Sequence, residues 1–202
     1  MSPPRRRAAD DSSSRTALLD AAEAIMIEEG YAAVSSRRLA TKAGVNPALV
    51  YYYFDTMDGL FIELFRRGSE RSIERFALAL LSPQPLWAFW EITHDQGNNA
   101  RTMEFIALAN HRKTIRAEIA NLSRRHREMQ LDVLTRVLKG YGLDLDAWPP
   151  VTIILAMAGI SRYLLMEEEF GIDTGHTQMV QVIEREIRAL EGDRIDHTAI
   201  GA

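Results

Sequence analysis

Between Tyr31 and Phe54 every charged side chain is a cation: Arg37, Arg38 and Lys42, a local charge of +3 with no acidic residue. Cations grouped in this way suit a polyanion, because each phosphate neutralised by Lys or Arg releases a condensed counterion. The same stretch carries Tyr51, Tyr52 and Tyr53 in succession. Residues adjacent on a helix point about 100° apart around its axis, so three consecutive phenols cannot all be buried and at least one is presented outward. The whole chain has a net charge of −4, which argues against an indiscriminate nucleic-acid binder. The positive stretch therefore stands out against its own background.

Holding those side chains in place requires two short helices about a tight turn. Ser35 suits the N-cap of the first, and Leu39, Ala40 and Ala43 give it one small apolar face. Gly44 ends it, since glycine tolerates the left-handed backbone that such a turn needs. Val45 fills the corner, Asn46 can cap the second helix and Pro47 fits its first turn, where the missing N–H has no intrahelical partner. Val50 and Phe54 then face inward. This is the layout of a helix-turn-helix DNA reader. In that layout Asn46, Ala48, Leu49 and Tyr52 lie near base edges, with Ala48 and Leu49 suited to a thymine methyl, while Arg37, Lys42, Tyr51 and Tyr53 are placed for phosphates. Ser35, Arg38 and Pro47 complete the candidate DNA-binding set.

With these residues in hand, the run from Leu18 to Leu60 resembles the DNA-binding domain of the tetracycline-repressor (TetR) family of transcription regulators. The ordered features are Gly30-Tyr31, Ser35, Ala43-Gly44-Val45, Tyr51, Phe54 and Asp58-Gly59-Leu60, over about the first third of the chain. Two departures matter. Met57 stands where the family often has a phosphate-touching lysine and Asp55 takes another commonly basic place, whereas Arg38 replaces a commonly acidic residue. Phosphate contacts are thus expected to move toward Arg37, Arg38 and Lys42. The resemblance implies a ligand-responsive regulator, most often a repressor, that works as a homodimer through its last two helices on a palindromic operator in double-stranded DNA.

The remaining sequence is expected to be all-α. With 202 residues, 47% of them hydrophobic, the chain can bury a real core. It has no cysteine, no run of about 18 apolar residues to cross a bilayer and no secretory signal, which leads to the expectation of a cytoplasmic protein without a membrane partner. Residues 1–13 read as a disordered basic arm in which Arg5 to Arg7 could seek phosphate or simply solubilise; 14–60 form the helix-turn-helix domain and 61–202 a helical ligand-binding and dimerisation domain. A first helix from near Ser14 carries the stripe Leu18, Ala21, Ala22, Ile25 and Met26. A long helix capped by Asp55 or Thr56 runs toward Leu81 with Leu60, Phe61, Leu64, Phe65, Ile73, Phe76, Ala77 and Leu80 on its apolar side, until Pro83 and Pro85 break it. Further helices are expected over 85–93, 98–110, 113–139, 150–165 and 177–190. The one from Pro150 to Leu165 is apolar nearly all round, so it needs more cover than five or six helices supply, which a second copy would provide.

Trp87, Trp90, Met103, Phe105, Ile106, His126, Met129, Met157 and Tyr163 are the candidate lining of an effector cavity, since large aromatic and methionine side chains adapt to apolar ligands. Each taken alone is also ordinary core. His126 interrupts the stripe Ile115, Ile119, Leu122, Met129, Val133, Val137, and reads first as a core histidine satisfied by a neighbour, second as a polar ligand contact. Enzyme chemistry finds little footing. Glu91 and His94 have the spacing of half a di-iron site, but no other histidine has a Glu three residues before it, and no phosphate loop or nucleophile elbow occurs. No cofactor and no metal are expected. The alternative is a helical structural or interaction protein without DNA-binding activity, which leaves the convergence of caps, turn glycine and cations between Ser35 and Phe54 unexplained.

Overall fold

The computed structural model describes residues 4–79 and 81–195, with side chains from Ser12 onward. Over these the chain is helical, in the order α1 (Pro4–Glu29), a 3₁₀ turn (Tyr31–Ala33), α2 (Ser36–Ala43), α3 (Ala48–Phe54), α4 (Met57–Ala79), α5 (Pro85–Thr93), α6 (Gln96–His111), α7 (Lys113–Gly140), α8 (Pro150–Glu169) and α9 (His176–Glu191). One boundary departs clearly from expectation. α1 begins at Pro4 rather than near Ser14, because proline suits a first helical turn and nothing between the two positions breaks a helix. Met1 to Pro3 of the expected arm, Leu80 of the long apolar stripe and the side chains of Arg5 to Arg7 lie outside what is described.

The chain divides into two compact units, Met1–Glu70 with Ala100–Ser123, and Arg71–Asn99 with Arg124–Ala202. The first unit is larger than the expected 14–60 domain. Its core joins Leu18, Ala22, Ile25 and Met26 of α1 to Leu39, Val50, Phe54, Leu60, Phe61 and Leu64, and also takes in Phe105, Leu108 and Ile115 from α6 and α7. Phe65 meets Phe105 edge to face at 5.0 Å. Around that core Arg67 reaches Asp20 (2.6 Å) and Glu23 (2.8 Å), Arg101 reaches the same Glu23 (2.9 Å), and the Tyr31 N–H donates to Glu104 (2.6 Å). These bonds fasten α4 and α6 to α1 within the first unit.

The second unit packs Phe76, Leu86, Trp87, Phe89, Trp90, Leu134, Leu138, Ile154, Met157 and Ile187 into a core of its own. Here α8 buries Ile154, Met157, Ser161, Leu164 and Leu165, yet leaves Leu155 and Tyr163 more than half exposed. By length and composition α8 is apolar enough to cross a membrane, against the expectation that no segment is. Its buried Ser161 decides how it is used: the hydroxyl donates to the Thr93 carbonyl (2.7 Å) and accepts from His94 Nδ1 (2.9 Å), so one face is built to meet α5. At its far end Glu167 takes a bond from His176 Nε2 (2.9 Å), which with a second from Tyr163 holds the Glu167 carboxyl below the usual carboxylate range.

Candidate nucleic-acid interface

The turn between α2 and α3 is fixed by local chemistry. Gly44 adopts φ 68, ψ 31, and two bonds wrap the end of α2: Val45 N–H to Ala40 O (2.9 Å) and Gly44 N–H to Thr41 O (3.3 Å). This is a Schellman motif, which satisfies carbonyls that the helix leaves open and sets the direction of the chain leaving it. Asn46 then turns the chain into α3, its Oδ1 accepting the Ala48 N–H (2.9 Å), as a capping side chain should. Ser35 holds the extended N-cap position before α2, but its hydroxyl makes no capping bond. Buried Leu39, Val50 and Phe54 anchor the pair of helices from beneath.

On the other side Pro47, just before α3, and Ala48, Tyr51 and Tyr52 on it face solvent, the last two 51% and 66% exposed. Tyr52 and Tyr53 rings meet edge to face at 4.9 Å. Leu49 and Tyr53 are half-buried and pack against the head core, so the freest side chains for reading are Asn46, Ala48 and Tyr52. Tyr51 O–H comes within 3.5 Å of Ser36 Oγ, a bond weak enough to be exchanged for another acceptor.

The cations are less free than their count implies. Arg38 pairs directly with Glu29, and Lys42 Nζ lies 2.8 Å from Glu28 Oε2, both carboxylates belonging to the end of α1. The Arg38 bond holds the Glu29 carboxyl below its ordinary range, and the same bond raises Arg38. Among the described residues the Arg37 guanidinium has no carboxylate partner. The sequence count of +3 omitted Glu28 and Glu29 because they lie outside the segment, 14 and 9 residues from their partners.

The candidate effector lining is split between the two units. Trp87, Trp90 and Met157 are buried in the second core and Met129 packs on it, whereas Phe105 belongs to the first core, Met103 is half-buried on the same helix, and Ile106 is 40% exposed. Tyr163 stands 56% exposed on α8. His126 Nε2 is buried without a hydrogen-bond partner among the described residues, against the first expectation for it; the ring meets the Phe76 edge at 6.0 Å, and burial, helped by Arg127, lowers its pKa. Near Met129 an open groove of about 470 Å³ is lined by Ala77, Leu81, Met129, Val133, Arg136 and Val137. Periodicity had placed Met129, Val133 and Val137 on one stripe but could not show that the stripe was left partly uncovered. Glu91 and His94, the half di-iron spacing, are otherwise engaged, with Arg194 at 2.6 Å and Ser161 at 2.9 Å.

Two short helices around a Schellman turn, seated on a third helix and presenting a polar and aromatic face, define a helix-turn-helix protein with an additional helical unit. Residues 18–64 match the family described as bacterial regulatory proteins, tetR family. No curated protein matches. Among solved structures, a TetR transcription regulator from Haloarcula marismortui is 19% identical with a TM-score of 0.69, over 89% of this chain and 98% of that one. A transcriptional regulator from Rhodococcus sp. is 16% identical with a TM-score of 0.66, over 90% and 99%. The regulator FadR from Bacillus subtilis, solved with stearoyl-CoA, is 18% identical with a TM-score of 0.63, over 89% and 99%. These likenesses cover most of the chain and show its fold.

Proposed function

We propose that the protein is a cytoplasmic, homodimeric repressor that binds a palindromic operator and is released from it by a small, mainly apolar effector. The observation that carries the DNA-binding part is the Schellman turn that leads through Asn46 into a short helix with Ala48 and Tyr52 exposed, while Arg37 on α2 has no carboxylate partner among the described residues. Selection of bound duplexes from a random pool tests it, and a pool that never converges on a palindrome would reject it. With the selected site in hand, Arg37→Ala is expected to weaken all sequences alike and flatten the log–log salt dependence by about 0.9 per head, while Tyr52→Ala changes base preference. A loss of preference in both variants would show that positioning and reading are not divided in this way.

Dimerisation is supported by what α8 and α9 leave uncovered. Leu155 (52%), Tyr163 (56%), Met179 (39%) and Val182 (44%) are exposed apolar side chains on the last two helices, which a second copy would cover. Leu155→Glu puts a charge at a site that a monomer would tolerate, yet it is expected to split the dimer by burying an unpaired carboxylate. Sedimentation that still reports a dimer would remove this face from the interface.

For the effector, the groove beside Met129 is apolar with Arg136 as its one cation, and Arg136 is already paired with Asp132 at 2.6 Å. An apolar acyl chain suits that lining, and the stearoyl-CoA bound by FadR of B. subtilis is support of the same kind. Binding would release DNA by favouring one of two states over the other.

A further inference from the structure

We propose that Glu28 and Glu29, at the end of α1, act as built-in substitutes for DNA phosphate, holding two of the three cations beside the reading helix neutral and so limiting the sequence-independent grip on any duplex. This rests on the DNA-binding reading above. Arg37, Arg38 and Lys42 contribute +3 and the two carboxylates −2, which leaves +1 on the surface that would meet phosphate. The pairing is specific, because each carboxylate takes a different cation, Glu28 to Lys42 at 2.8 Å and Glu29 to Arg38 in direct contact, and both reach from α1 to α2. It is also labile. The paired side chains are 40% and 58% exposed in one case, 45% and 44% in the other, and exposed pairs of this kind add little to stability.

The helices do not need these pairs to stay together, since α1 and α2 already share Leu18, Ala22, Met26 and Leu39 in one core. What the pairs change is the exchange that DNA must make. A cation taken from a carboxylate by phosphate leaves that carboxylate unpaired beside the incoming negative charge. If the carboxylate keeps its hold, the cation brings no net charge and releases no counterion. Either way the phosphate contact is weaker than that of a free cation, and equally so on every sequence, because phosphate contacts carry no base information.

The test compares wild type, Glu28→Gln/Glu29→Gln and, as a control for the same change of net charge, Glu128→Gln/Glu169→Gln, two exposed carboxylates on α7 and α8. Each is titrated with a short mixed-sequence duplex over a range of salt. The double variant is expected to bind about tenfold tighter at low salt and to steepen the log–log slope by about 0.9 for each cation freed, with unchanged thermal melting. Equal affinity and slope in wild type and double variant would overturn the proposal while leaving DNA binding intact. Weaker binding would overturn it too, by showing that the carboxylates aim the cations, and so would an equal gain from Glu128→Gln/Glu169→Gln. A wild type that binds too weakly to detect beside a double variant that binds would support it. If neither binds duplex, the DNA-binding reading falls and this inference with it.

Discussion

Gly59→Ala is expected to cost the head about 3 kcal/mol or more and to remove DNA binding with it, although Gly59 lies in an ordinary helical turn at the start of α4. A Cβ there would stand 2.2 Å from the Phe54 carbonyl oxygen, a backbone atom that cannot swing aside. The close approach is forced by the link between α3 and α4, which is a γ-turn: Asp55 has φ 56 and ψ −44, and the Thr56 N–H donates to the same Phe54 oxygen at 2.6 Å. Turns of this hand are strained and persist only where the surroundings over-determine them. Here Phe54 is pinned in the core at 6% exposure, and Thr56 Oγ1 caps α4 by accepting the Gly59 N–H at 3.0 Å. Relieving the clash means lifting Phe54 or breaking that cap. Gly68→Ala is the contrast, because its Cβ would meet only the Arg101 side chain at 3.4 Å, and it should be near neutral. Circular-dichroism melting of the two variants decides; a Gly59→Ala protein that melts with wild type would mean the link is looser than its geometry indicates.

The reading helix was legible in sequence because its determinants are local. Gly44, Asn46 and Pro47 act within a few residues of themselves, and the Schellman bonds and the Asn46 cap follow from rules of that range. Helix periods were legible for the same reason, so that Leu18, Ala21, Ala22, Ile25 and Met26 are all buried as their spacing required. Periodicity says which face is apolar and not what covers it. Phe105 looked like pocket lining and instead closes the head core against Phe65, a partner 40 residues earlier, and His126 looked satisfied, yet its Nε2 has no hydrogen-bond partner among the described residues. The pairing of Lys42 and Arg38 with α1 was likewise invisible to a charge count that stopped at Tyr31. Long-range partners of this kind appear only when helices are placed in space.

Glu191 is another such partner, and Glu191→Ala is expected to destabilise the second unit by about 3–5 kcal/mol, a large share of the 5–15 kcal/mol typical of a domain. The residue ends α9 but serves α5. Its Oε1 accepts the Leu86 N–H at 2.7 Å and the Tyr141 O–H at 2.5 Å, and its Oε2 accepts the Trp87 N–H at 3.1 Å. The two amides belong to the first turn of α5, where N–H groups have no intrahelical acceptor and a negative charge is favoured by the helix dipole. Gln84 locks the same junction, donating to the Glu191 and Asp193 carbonyls at 3.0 and 2.8 Å while buried to 4% exposure. Removing the carboxylate strands three donors at once, each costing about 1–3 kcal/mol where water cannot fully replace the acceptor. Burial and then the Glu191 bond push the Tyr141 pKa up. A raised folded value gives stability that is complete below the unfolded pKa of about 10 and lost only above it, so Tyr141 remains a donor and the deficit should be flat through the neutral range. Tyr141→Phe should cost about 1 kcal/mol in wild type and much less in Glu191→Ala, because the two share one bond. Urea unfolding of the four proteins measures that coupling, and additive losses would show that Glu191 and Tyr141 act separately.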